Sequence, residues 1–216
     1  MKNSILSFLG ISKVKTDDIN DTLIDLNKAI ELDPDDAEAY CSRGIIKGIV
    51  GNHRDAIQDF NKAIELAPNY AHTYILRGNT KGVLGDHRGA IQDSDKAIEL
   101  DPNVAEAYRS RGIAKRNLGD YMGVIQDYSK AIELEPNHAD TYATRGYVKG
   151  VLGDYVGAIQ DYTKTIELNP NDAEAYFCRG IVKIQVGQKE SGCLDFSKAG
   201  ELGLSQAYDY IKLHCQ

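Results

Sequence analysis

Apolar and polar residues in this chain follow a helical rhythm that restarts at a fixed interval. In 158–168, AIQDYTKTIEL, the residues Ala158, Ile159, Tyr162, Thr165, Ile166 and Leu168 fall on one side at helical spacing. Asp161, Lys164 and Glu167 fall on the other side at three-residue steps and read as a solvated charge ladder. The block recurs every 34 residues, with Ala56, Ala90, Val124 and Ala158 in register. A second helical stretch precedes each block, running from an Ala-x-Ala/Thr-Tyr start to a Leu/Val-Gly pair, as in 139–152. Two helices per unit and a fixed period in this range predict an all-α repeat architecture.

Setting Ala37, Ala71, Ala105, Ala139 and Ala173 at position 1 gives units 37–70, 71–104, 105–138, 139–172 and 173–206. Stepping back places 1–36 as a degenerate first unit: Leu9-Gly10 falls where the others have Arg-Gly, Lys13 on their Lys, and Leu26 to Pro34 largely match. An atypical terminal unit is expected where one face has no neighbour. At the other end Leu204 stands where Pro belongs, and 207–216 reads as a short amphipathic cap helix. The units are read as one continuous solenoid domain.

Punctuation is regular. Pro34, Pro68, Pro102, Pro136 and Pro170 stop each second helix. Asp35, Asn69, Asn103, Asn137 and Asn171 signal the next helix start, and Glu38, Glu106 and Glu174 stand three residues on, at capping-box spacing. Gly51, Gly85, Gly119, Gly153 and Gly187 suit the residue after a helix end, and Asp86, Asp120 and Asp154 suit the N-cap of the second helix. Gly44, Gly78, Gly112, Gly146 and Gly180 lie inside the first helix, where glycine costs about 1 kcal/mol against alanine. Their shared register predicts close approach of the second helix at Ala56, Ala90, Val124 and Ala158. Arg43, Arg77, Arg111, Arg145 and Arg179 keep the same step as Asp59, Asp93, Asp127, Asp161 and Asp195. Either these pairs touch between paired helices or each points to water; the charge pattern alone does not decide.

Composition narrows the function. The chain has 216 residues, 42% hydrophobic, and a net charge of −7 without a basic stripe, which argues against nucleic acid. No run reaches a membrane span. The N-terminal stretch is broken by Ser7 and Gly10 and followed by Lys13 and Lys15, so it reads as mature sequence, and cytoplasm is the expected compartment. Cys41, Cys178, Cys193 and Cys215 make no Cys-x-x-Cys pair and read as reduced thiols. His53 and His87 are one repeat apart, but the next units carry Tyr121 and Tyr155 there, so the position calls for a ring and no metal is expected. The G-x-x-K-G stretches lie mid-helix and lack the order of a phosphate-binding loop. No nucleophile signature is present. Neither cofactor nor catalysis is expected.

These residues resemble the tetratricopeptide repeat pattern, carried in 139–172 by Tyr142, Gly146, Ala158, Tyr162 and Pro170. The departures are systematic: Tyr rather than Trp at position 4, Arg before the Gly, and Lys at the next aromatic position. The resemblance implies a right-handed superhelical solenoid whose first helices line a concave groove that binds peptides. The groove positions would be Ile45, Ile75, Leu76, Asn79, Arg109, Ile113, Arg116, Asn117, Tyr147, Phe177 and Ile181. They are the variable positions of an otherwise monotonous chain. Arg109 and Arg116 are placed to meet a ligand carboxylate. The Glu at position 2 of a unit is read as capping its own helix. Ser, Cys, Ile and Leu stand where some relatives carry a chaperone-binding clamp, so that activity is not expected. The expected function is a non-enzymatic adaptor for a protein or peptide partner. The alternative is a structural, self-associating role through the first unit or the cap helix.

Overall fold

The computed structural model describes residues 16–215, with side chains from residue 19 onward. The part of the degenerate first unit that holds Leu9, Gly10 and Lys13 lies outside the described residues, as does the N-terminal stretch. Among the described residues there are twelve α-helices and no strand. The chain divides into two compact units, one ending at Pro102 and one beginning at Asn103.

The first unit contains α1 (Thr16–Leu32), α2 (Ala37–Ile49), α3 (His53–Leu66), α4 (Ala71–Val83) and α5 (His87–Leu100). The second contains α6 (Ala105–Asn117), α7 (Tyr121–Leu134), α8 (Ala139–Val151), α9 (Tyr155–Leu168), α10 (Ala173–Gln185), α11 (Lys189–Glu201) and α12 (Gln206–His214). Within each unit consecutive helices pack on one another: α2 with α3 and α4 with α5 in the first, α6 with α7, α8 with α9 and α10 with α11 in the second.

Local chemistry explains the ends. Gly153 adopts φ 83°, which suits glycine. The following Asp154 N–H donates to the Lys149 carbonyl at 2.9 Å, closing a Schellman turn. Asp154 then caps α9, its side chain accepting from the Gly157 N–H at 2.9 Å, and Asp86 and Asp120 do the same for α5 and α7. The first-helix caps lie one residue later than the sequence suggested. Asp36 and Asp172, not Asp35 and Asn171, accept from the first-turn N–H groups. Tyr70, Val104 and His138 occupy the cap position elsewhere and make no side-chain cap bond. Glu38 and Glu174 thus sit two residues past the cap, and Glu106 follows Val104, which has no side-chain acceptor. The capping box and the capping role for Glu at position 2 are overturned, because the turn after proline takes one more residue before the helix opens.

Position 4 is tyrosine for a reason the ring alone does not supply. Tyr74 and Tyr142 donate their hydroxyls to the carbonyls of Pro68 and Pro136, tying each first helix to its leading turn.

The in-register glycines are sites of close approach, but chiefly to a ring. A Cβ on Gly44 would lie 2.7 Å from the Phe60 ring, and one on Gly112 2.5 Å from Tyr128. Gly180 meets Phe196 in the same way. Gly78, where Ser94 replaces the ring, and Gly146, where the Tyr162 ring stands farther off, instead face the Cβ of Asp93 and Asp161 and the backbone of Ala90 and Ala158. The expected partners Ala56 and Val124 are not the atoms met, because the residue four places later carries the bulk.

The repeated Arg–Asp contact is present. Arg43 and Arg77 in the first unit fork onto Asp59 and Asp93. Arg111, Arg145 and Arg179 in the second fork onto Asp127, Asp161 and Asp195. Lys47, Lys81, Lys115, Lys149 and Lys183 bind the same carboxylates at 2.7–2.9 Å. These aspartates are buried. Asp161 therefore leaves the expected charge ladder, of which only the exposed Lys164–Glu167 step remains, at 3.0 Å.

The cysteine reading holds for two thiols and fails for two. Cys41 and Cys178 are free. Cys193 and Cys215 form a disulfide with Cα atoms 5.8 Å apart. Their 22-residue separation gave no spacing signature, because the pairing depends on α12 folding back beside α11.

Candidate functional site

The first helix of each repeat presents a run of positions whose exposure differs sharply. Position 5 packs inward. Ile75 is fully buried and Phe177 nearly so, with Phe177 tilted against Phe196 and edge-on to Tyr210. Neither residue presents a surface to a partner in this structure, which corrects their place among the groove residues: a large apolar side chain there is covered by its neighbours. Ile45 and Leu76 are half-buried on the Cys41–Ala56–Phe60 cluster of the first unit. Asn79 is exposed in that unit.

In the second unit, position 9 stays open. Ile113 is 45% exposed and Tyr147 is 53% exposed, although both are large and apolar in body. Their register mate Ile181 is half-buried beneath α12. Arg116 and Asn117, at the end of α6, are exposed. Arg109 is not an open cation: its Nη1 donates to Glu135 at 2.5 Å, and its side chain is only 19% exposed. The carboxylate expected from a ligand at Arg109 is supplied by the chain itself. A signal for this existed in the sequence, since 105–138 alone among the five clear units carries Arg at position 5 and an acid at position 31.

Two tyrosines of the second helices complete this surface. Burial pushes the Tyr128 hydroxyl pKa up, while the positive charge of Arg116 and a hydrogen bond with Thr144 pull it down. Burial likewise raises Tyr162, whose hydroxyl pairs with Cys178 and lies in the field of Tyr147. Ile113, Arg116, Thr144 and Tyr147 thus lie on one face of the second unit, an apolar rim with an exposed cation and hydroxyls beneath it. The sequence reading places Tyr162, the register mate of Tyr128, only on the apolar side of its helix. Nothing in the period marks their hydroxyls as reaching position 6 of the next repeat.

His53 and His87 open α3 and α5. Among the described residues no group of three or more His, Cys, Asp or Glu is arranged to hold a metal ion. Among them too, no helix is long and apolar enough to cross a membrane.

Helix pairs in register, each locked by the same arginine, define a helical-repeat scaffold of the protein-interaction class. Sequence comparison gives the family: tetratricopeptide repeat profiles match 37–70, 71–104 and 105–138, and a further repeat profile matches 152–187. The chain belongs to the tetratricopeptide repeat family. It is similar in structure to MamA, at 30% identity over 76% of this chain and 96% of that one, with a TM-score of 0.71. The MamA fragment from Desulfovibrio magneticus RS-1 that begins at its residue 41 gives a TM-score of 0.72 at 19% identity, over 79% and 96% of the two chains. YrrB, a tetratricopeptide repeat protein with an unusual peptide-binding site, gives 0.73 at 21% identity over 87% and 97%. No curated protein sequence matches the chain.

Proposed function

We propose that this chain is a non-enzymatic adaptor that binds a peptide or protein segment on the first-helix face of its repeats. In the second unit the binding residues are Ile113, Arg116, Asn117 and Tyr147; in the first, Asn79 with the partly covered Ile45 and Leu76. The observation that carries the reading is the exposure of Ile113 and Tyr147 at one register position of successive repeats, beside an exposed Arg116. Large apolar side chains held open next to a cation suit an extended segment or amphipathic helix that carries an acid. The peptide-binding site of YrrB gives a structural neighbour with the same class of ligand. A protein partner fits the net charge of −7 better than nucleic acid does.

The test is capture from source-cell extract by wild type and by a variant carrying Ile113→Asp, Arg116→Glu and Tyr147→Ala. A protein held by the wild type and lost from the still-helical variant supports the reading. Equal capture by both sinks it. Arg109 is left alone because its charge already serves Glu135.

One observation favours self-association as a second reading. α12 leaves Tyr208 and Leu213 largely exposed. Light scattering separates the two: a groove binder keeps one mass on dilution, and a self-assembling chain does not. The cytoplasmic placement is kept as a proposal, in which the Cys193–Cys215 bridge would be formed and broken rather than permanent. A bridge oxidised in every molecule recovered from cells under thiol-trapping conditions would count against that compartment.

A further inference from the structure

α12 stands where the first helix of a seventh repeat would. Ala207 and Tyr210 stand 34 residues after Ala173 and Tyr176, so the cap helix keeps the register of the units before it. Its seat is specific. Ala207 is fully buried. Tyr210 sits edge-on to Phe177 at 4.8 Å between ring centroids and 5.5 Å from Phe196. Leu204 and Ile211 join the same cluster. A Cβ on Gly200 would lie 2.7 Å from Tyr208, so α11 is shaped to let α12 lie close.

The helix is nonetheless poorly held by its own resources. It spans nine residues, shorter than a helix that persists alone in water, and its N-cap Ser205 makes no side-chain bond. In its last turn Leu213 is 75% exposed. At that end Cys215 is bonded to Cys193 on α11. Both cysteines are only half-buried and within reach of a reagent. The remaining thiols, Cys41 and Cys178, are unpaired and lie elsewhere.

We propose that the Cys193–Cys215 bridge is a thiol-operated latch that holds α12 over Phe177 and Ile181, and that its reduction frees the helix and uncovers that seat. The co-reactant is a dithiol. One of its thiolates attacks a bridge sulfur to give a mixed disulfide, and its second thiolate displaces the cysteine. Two electrons pass to the bridge, Cys193 and Cys215 each take up a proton, and the reagent leaves as its own disulfide. The inference is independent of which segment the open face of the second unit binds.

The experiment is hydrogen–deuterium exchange of the full chain, oxidised and after dithiothreitol, with a Cys193→Ser/Cys215→Ser variant alongside. Intact mass and alkylation first establish that two of the four cysteines are blocked in the oxidised chain. Exchange in 206–214 is expected to accelerate roughly tenfold or more on reduction and in the variant. Exchange in α6–α9 is expected to stay constant, and an apolar dye is expected to bind the reduced chain more strongly than the oxidised one. Unchanged exchange of 206–214 on reduction overturns the latch even if the variant fails to fold. So does an oxidised chain in which all four thiols alkylate.

Discussion

Arg145 grips Asp161 with two parallel bonds, Nε to Oδ2 at 2.9 Å and Nη2 to Oδ1 at 2.7 Å. Its third nitrogen reaches back to the Ser129 hydroxyl at 3.0 Å, on the second helix of the preceding repeat. The guanidinium also lies 5.8 Å from the centroid of the Tyr142 ring. One side chain therefore joins three helices. Arg43 and Arg77 repeat the arrangement with Asn27 and Asn61 as backward partners, and Arg179 does so with Thr163. The planar fork, the backward bond and the ring contact together explain why these positions hold arginine and not lysine.

Breaking this pair is expected to be costly because Asp161 is buried. Asp161→Ala should destabilise the chain by about 3 kcal/mol, as it strands Arg145 and Lys149 together. Arg145→Ala should cost less, about 1–2 kcal/mol, since Lys149 still faces the carboxylate. A double-mutant cycle read by denaturant melts should return a coupling of about 1–2 kcal/mol. A coupling near zero would show that the contact contributes nothing to stability.

Two glycines on one helix make a matched experiment. Gly44→Ala drives a methyl to within 2.7 Å of the Phe60 ring and is expected to destabilise by about 1–3 kcal/mol. Gly48, one turn later on α2, has nothing within 4 Å of the site of a Cβ. Gly48→Ala is expected to stabilise by about 0.5–1 kcal/mol through helix propensity and a less free unfolded chain. Thermal melts of both variants check the pair, and effects of equal sign would refute the packing account.

How much of this was readable before the structure depends on whether a residue's role is set inside one repeat. The helix pairs, the closing glycines and the Asp caps of the second helices are local, and the period displayed them. The facing of Arg145 and Asp161 was visible as a constant 16-residue offset, but charges at that offset look the same whether paired or solvated. Roles set between repeats were not readable. Phe177 looked like a groove residue until α12 was seen to put Tyr210 on it. Arg109 differs: Glu135 lies 26 residues on in the same repeat, and the joint occurrence of Arg at position 5 and an acid at position 31 was its signal. The disulfide needed the fold of α12 to bring its halves together.

The second-helix caps offer a third test. Asp154 bonds the Gly157 N–H at 2.9 Å, whereas Asn52, at the equivalent position before α3, makes no side-chain cap bond. Asp154→Ala is expected to cost about 1 kcal/mol, and Asn52→Ala only a few tenths. Urea midpoints measured side by side decide it. A larger loss at Asn52 would mean that cap bonding does not control these helix starts.

The two free thiols carry a pH signature. Burial pushes the pKa of both Cys41 and Cys178 up, opposed by hydrogen bonds with Thr73 and Tyr162 respectively. Only the thiolate is nucleophilic, so at pH 8 both should alkylate more slowly than an ordinary cysteine, with rates still rising above pH 9. The same shift has a sign in stability. The folded chain holds these protons more tightly than the unfolded chain does, so the contribution is fully present below the ordinary thiol pKa of about 8.5 and is lost as pH rises through the folded value. Replacing Cys178 with serine should therefore flatten the decline in stability above roughly pH 8.5. Alkylation of either thiol in the native chain at the rate of a free cysteine would contradict the burial that sets the shift.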